Sequence, residues 1–249
     1  MWSFNAFCDE FYVTTRLFLK LDLEPSRETL LHFLERIRRA FPEMSRLRRR
    51  DDGALVLDEE GQEESGRRYV RIDPNALKLG YFSPPDAAAV SSFAGLVLEQ
   101  APAHLSLSDL DYDYMEVSYT FDLEYRGNHD ELVAETLFPD HPLIASLTAG
   151  EERLIDCQPF LGITLTPDCE RQVYLEIKGR TSTYEIRTGE YEPQALSVYT
   201  TVRHYWGFGS DLGLAGVHRA LLALGEKYAG ECAVPHVVQP LAAAIASRR

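Results

Sequence analysis

Residues Phe121-Asp122-Leu123-Glu124 nearly repeat Leu21-Asp22-Leu23-Glu24, one hundred positions earlier. Each copy ends an alternating run. In the first, Phe11, Val13, Thr15, Leu17, Leu19, Leu21 and Leu23 alternate with residues such as Thr14, Arg16 and Lys20. In the second, Met115, Val117, Tyr119, Phe121, Leu123 and Tyr125 alternate with Glu116, Ser118, Thr120 and Asp122. A period of two predicts a strand with one apolar face. Each run leads into residues at helical spacing: Leu30, Phe33, Leu34 and Ile37 after the first, and Leu132, Val133 and Leu137 after an Asn128 cap in the second. The pattern predicts an internal duplication: two strand–helix–meander–helix halves, 1–105 and 106–249, forming one α+β body with helices packed on an antiparallel sheet.

The meanders follow from turn chemistry. Asp51-Asp52-Gly53 predicts a hairpin between strands at 46–50 and 54–57, and Asp73-Pro74-Asn75 a turn between strands at 68–72 and 77–82. Ser83-Pro84-Pro85-Asp86 opens a helix through about residue 100. In the second half, strands are expected at about 153–165, 171–178, 181–187 and 195–206. Helices are expected at about 212–228 and 237–247.

This order resembles the half-repeat of the TATA-box-binding protein and the helix-grip fold of plant pathogenesis-related lipid binders, at the level of topology. The N-terminal strand and helix ending in Phe41-Pro42, the long strand Tyr112–Tyr125 and the closing helix with its short tail also resemble a family of sporadically distributed bacterial proteins of unknown function. These likenesses imply a fold and no activity.

Charge narrows the partners. The chain carries 25 Lys and Arg against 39 Asp and Glu, a net of −14. By half, the net is −3 over residues 1–105 and −11 over 106–249. Such a surface repels phosphate backbones and disfavours nucleic acid, although a local basic patch can survive the global sign. No apolar run reaches the roughly 20 residues of a membrane span, so no membrane contact is expected. The start of the chain lacks the basic stretch of a signal peptide, and four dispersed cysteines give no C-x-x-C pair. A cytoplasmic protein without a disulfide framework is the expectation.

Candidate sites are few. Arg36, Arg38, Arg39, Arg46, Arg48, Arg49 and Arg50 crowd fifteen residues, and alternation puts Arg46, Arg48 and Arg50 on one strand face. Guanidinium groups suit phosphate or carboxylate. The competing reading is neutralisation by Asp51, Asp52, Asp58, Glu59, Glu60, Glu63 and Glu64 nearby. Tyr199, His204, Tyr205 and Trp206 crowd one strand end, where they line either a pocket or a core. Trp2, Phe4, Phe7 and Phe11 suit packing of the N-terminus onto the body. Gly207, Gly209 and Gly213 match neither a dinucleotide nor a phosphate-loop spacing. His129, Asp130, Glu131, Glu135 and His141 form the densest ligand-type group, without H-E-x-x-H spacing. Asp111 and Asp113 share a strand face as edge charges, and Cys157 reads as buried mid-strand and inert.

The sequence therefore predicts a non-enzymatic binding or protein-interaction protein with no cofactor, no metal and no catalytic residue. Arg39, Arg46, Arg48, Arg50, His204 and Trp206 are its candidate contacts. A protein partner or self-association, including a homodimer, is expected. The alternative is a small-ligand module or an unrecognised enzyme with a pocket near His204, and a third reading is nucleic-acid binding through the Arg46–Arg50 patch.

Overall fold

The computed structural model describes residues 2–23, 25–59, 67–150, 152–206 and 212–248. The acidic residues Glu60, Glu63 and Glu64 and most of the glycine-rich segment, 207–211, lie outside the described residues.

The fold is α+β, with helices packed on a nine-stranded antiparallel sheet. Its strands are β1 (Glu10–Leu19), β2 (Arg46–Arg49), β3 (Leu55–Asp58), β4 (Arg68–Asp73), β5 (Ala76–Phe82), β6 (Tyr112–Tyr125), β7 (Phe160–Thr164), β8 (Arg171–Lys178) and β9 (Gln194–Tyr205). Their spatial order is β2-β3-β4-β5-β1-β6-β9-β8-β7. The two long alternating strands sit side by side at the centre, with Thr15 opposite Val117 and Arg16 opposite Glu116. The meanders fan outward from this pair.

The helices are α1 (Arg27–Ala40), α2 (Ala87–Leu105), α3 (His129–Leu137), α4 (Pro142–Leu147), α5 (Thr183–Thr188), α6 (Leu214–Tyr228) and α7 (Gln239–Arg248). Ser26 caps α1 by accepting from the Thr29 N–H, and Asn128 caps α3 by accepting from those of Asp130 and Glu131. These two caps are 102 positions apart, so the four-residue echo is offset by two from the elements. Leu21-Asp22-Leu23 lies beyond the end of β1, with Leu21 exposed, whereas Phe121–Glu124 lies inside β6.

Three segments depart from the periodicity: 181–187, the closing helices, and the strand expected at about 153–165, which forms only over β7. The expected strand at 181–187 is α5, because Ser182 and Glu185 form a reciprocal capping box. The closing helices are continuous: α6 runs through a wide π-helical stretch, Ala229–Val238, into α7. Pro235 lies in that stretch and cannot donate to an ordinary helical ladder, and the wider turn accommodates it. Cys157 is outside any strand and half-buried, and its N–H donates to Asp130 at 2.7 Å.

One face of the sheet carries the core. Phe11, Val13 and Leu17 of β1 and Met115, Val117, Tyr119 and Phe121 of β6 are all buried there with α2 and α6. The Tyr119 hydroxyl donates to the Leu222 carbonyl of α6 at 2.9 Å. A Cβ at Gly225 would sit 2.5 Å from the Tyr119 ring, so α6 approaches this closely because residue 225 has no side chain. The N-terminal aromatics close the end of this core. Trp2 meets Phe4, Phe11 and Tyr119, and Phe4 meets Phe11, Tyr119 and Phe121, at centroid distances of 5.3–6.0 Å. His218 is buried between helix and sheet, with Nε2 3.0 Å from Thr15 Oγ1.

Candidate binding face

The opposite face of the sheet receives the other half of each alternating strand. The register aligns these residues in rows across the strands. One row runs Asp58, Tyr69, Gly80, Thr14, Ser118, Thr201, Tyr174 and Gly162. The next runs Arg48, Val56, Arg71, Lys78, Arg16, Glu116, Arg203 and Gln172. A third carries Phe82, Tyr12, Thr120, Tyr199, Glu176 and Phe160.

These rows do not lie on a flat surface. A single cavity of about 500 Å3 is lined from seven strands, from Tyr69 on β4 to Phe160 on β7. A second, of about 480 Å3, adjoins it through Tyr69 and Phe82 and extends to Arg46, Arg48 and Arg50. The face is therefore concave, and its floor is buried with no described helix over it: Thr14, Glu116, Ser118 and Thr120 are 7%, 6%, 7% and 1% exposed. Twist and coiling of the long central strands supply that curvature.

The lining combines cations with aromatic rings. The two cavities hold eight Lys and Arg against three carboxylates, in a chain whose net charge is −14. Tyr12, Tyr69, Phe82, Phe160, Tyr174 and Tyr199 supply the rings. The Tyr69 ring covers Gly80 and the Tyr174 ring covers Gly162, each occupying the space a Cβ would need. Phe160 stacks on Tyr174 at 5.3 Å and 18°, and Arg67 sits 4.4 Å above the Phe82 ring.

Some of these cations are committed. Glu116, nearly buried, accepts from Arg203 at 3.0 and 3.3 Å and lies 3.5 Å from Arg16. The Arg203 guanidinium is also held between Tyr114 and Tyr174, at 4.5 and 5.0 Å. Arg46 donates to both Asp58 oxygens at 2.9 and 3.0 Å, and Arg48 also pairs with Asp58. Burial alone would raise the Asp58 carboxyl, but the two guanidiniums outweigh it and hold the group below its ordinary value. Arg71 pairs with Asp52 and Asp73, and Lys78 with Asp73. Neutralisation within the meander thus accounts for part of the arginine cluster. Arg50, Arg67 and Lys178 form no ion pair with a described carboxylate. At the far end of the groove, burial raises the Asp122 carboxyl despite Ser197, Arg180 and Tyr12. Burial, with Asp122 and Tyr199 beside it, pushes the Tyr12 phenol up, so Tyr12 remains a hydroxyl donor.

The structure brings together only part of the residue set expected from sequence. Arg46, Arg48 and Arg50 line one cavity. Arg39 lies elsewhere, exposed on α1 and paired with Glu35 at 3.4 Å. His204 and Trp206 are also separate from the groove. His204 is opposite Met115 in the register, on the helix-covered face, and only 1% exposed. Its Nδ1 lies 3.0 Å from Glu170, Trp206 packs edge-on against it at 5.0 Å, and burial lowers its pKa below the ordinary imidazole value. The strand-end aromatic set is thus divided by parity: Tyr199 and Tyr205 face the groove side, and His204 faces the core. The residues not singled out from sequence, Arg16, Glu116, Lys178 and Arg203, carried a signal in that same parity, since each shares a strand face with Thr14, Ser118, Glu176 or Tyr199.

The His129–His141 group is structural in its first members. His129 Nδ1 accepts from the Arg180 N–H at 3.2 Å while Nε2 lies 3.3 Å from the Tyr125 carbonyl, and Asp130 accepts from Cys157. These bonds tie α3 to two loops, and burial lowers the His129 pKa. Burial, Asp130 and Asp156 raise the Cys157 thiol, which keeps it protonated and unreactive. Asp111 accepts from the Ser108 N–H and hydroxyl in a turn. No cluster of three or more His, Cys, Asp or Glu suited to a metal occurs among the described residues. No described helix is long and apolar enough to cross a membrane. No family model matches the chain, and no curated protein matches it.

Proposed function

We propose that this chain is a non-enzymatic binding protein, and that the concave helix-free face is its binding surface for an anionic ligand. One observation carries the reading: eight Lys and Arg converge with six aromatic rings on the two adjoining cavities of an otherwise acidic molecule. Five of the eight are ion-paired, but the lining keeps an excess of cations over carboxylates, and a concave site with an excess of one sign raises the local concentration of the opposite charge. Hydroxyls of Thr14, Ser118 and Thr201 on the floor add neutral donors and acceptors, with Ser118 and Thr201 hydrogen-bonded at 2.7 Å.

The test is binding of fluorescein-labelled polyphosphate, poly-glutamate and an oligonucleotide at low salt, to wild type and to Arg16→Ser/Lys178→Ser. Binding of at least one polyanion by wild type, weakened about tenfold in the variant, is the expected result, at about 0.5–1 kcal/mol per lost charge contact. Absence of polyanion binding, or equal binding by the variant, would refute the reading.

A second reading is favoured by cavity volume alone. About 500 Å3 is the size of a small-molecule pocket. A small anionic ligand would occupy the same face, among Tyr12, Arg16 and Tyr199, rather than the neighbourhood of His204.

A further inference from the structure

We propose that the groove binds single-stranded nucleic acid, with the backbone on its cations and the bases on its aromatic rings; this rests on the binding surface argued above and names its ligand. Charge alone would serve any polyanion, so the rings decide between them. Tyr69 and Tyr174 lie over Gly80 and Gly162, where side chains would otherwise hold them off the sheet. Phe160 extends the second platform and is 61% exposed, which leaves a ring surface available to a ligand. Phe82 carries Arg67 above it, a cation–π pair at the junction of the two cavities. A row of cations flanked by rows that carry rings, on one concave face, is what an unpaired strand requires, because each base offers a flat face and each linkage a negative charge. A duplex hides its base faces and gains nothing from the rings. An acidic peptide uses the cations but leaves the platforms idle.

Length agrees with this. Nine strands at about 4.8 Å spacing make a groove up to roughly 38 Å across, enough for about six nucleotides. Of the cations without described carboxylate partners, Arg50 and Arg67 line the second cavity and Lys178 the first, so each cavity offers at least one.

The experiment measures fluorescence anisotropy of a labelled single strand of about 12 nucleotides, its duplex, polyphosphate and poly-glutamate across a salt series. Wild type is compared with Phe160→Ala and with Arg67→Ser/Lys178→Ser; all three side chains are exposed, and circular dichroism checks that the variants fold. The single strand is expected to bind most tightly. Phe160→Ala should lose about fivefold or more for the single strand and nothing for polyphosphate. The double variant should flatten the log–log salt dependence by about 1.4, at roughly 0.7 per phosphate contact. Equal affinity for polyphosphate or poly-glutamate, with Phe160→Ala indistinguishable from wild type, would overturn the nucleic-acid assignment and leave an anion-binding face. Failure of every polyanion at low salt would overturn both.

Discussion

Tyr119 and Thr120 are neighbours in β6, point to opposite faces, and are 0% and 1% exposed. They are buried by different means. Tyr119 is covered by α6 and the N-terminal aromatics, in apolar packing closed by one hydrogen bond. Thr120 lies under no described helix: curvature folds the sheet over its own polar face, and Tyr12 and Tyr199 stand on either side in the register. Burial alone therefore does not separate core from site in this molecule. The chemistry of the neighbours does, with aliphatic and aromatic carbon on one face and ion pairs and hydroxyls on the other.

The contrast can be broken in three ways, in decreasing order of expected effect. Tyr119→Ala empties a fully buried site between sheet and α6 and should cost about 4 kcal/mol in urea denaturation, independent of salt. A loss under 1 kcal/mol would mean that α6 is not anchored there.

The second effect is pH-dependent and belongs to the covered face. Burial, with Arg219 nearby, lowers the His218 pKa to about 4. The unfolded chain, with imidazole near its ordinary value of about 6.5, then binds more protons between those limits. Stability is full above about pH 6.5 and falls as pH drops toward 4, by up to about 3 kcal/mol. His129 and His204 are shifted in the same direction and add to the slope. Denaturation at several pH values should show His218→Gln with a shallower decline than wild type. Parallel curves would remove His218 from the account.

The third effect belongs to the open face and is the smallest. Glu116→Gln removes the carboxylate shared by Arg16 and Arg203 and should cost about 1–2 kcal/mol. Because Arg16 is half-exposed, the cost should shrink at high salt. Salt sensitivity would separate the ion-paired floor from the apolar core; a salt-independent loss would show that the floor is held by packing instead.

Much of this was legible in the alternation. The parity of β1 and β6 divided core from groove residue by residue, the Ser26 and Asn128 caps marked two helix starts, and Asp51-Asp52-Gly53 marked a hairpin. What misled was proximity in sequence. Tyr199 and His204 looked like one cluster, yet an odd separation along a strand places them on opposite faces. The run at 181–187 is expected as a strand, and the Ser182–Glu185 capping box makes it α5 instead. Arg39 is close to Arg46 and Arg48 in sequence, but α1 ends at Ala40, just before Phe41-Pro42, and the chain crosses from the helix layer to the sheet edge between them.

By itself, the sequence determined that two long half-apolar strands would sit in a single antiparallel α+β sheet. A period of two and a set of turn residues are local properties, and any compact fold of the chain must satisfy them. Only the tertiary structure decided that the polar face would become a groove. That outcome depends on pairing β1 with β6, on the order of seven further strands, and on curvature accumulated across them. Arg16, Tyr69, Tyr174 and Lys178 meet because of sheet order, and sheet order is not written in any local stretch of the chain.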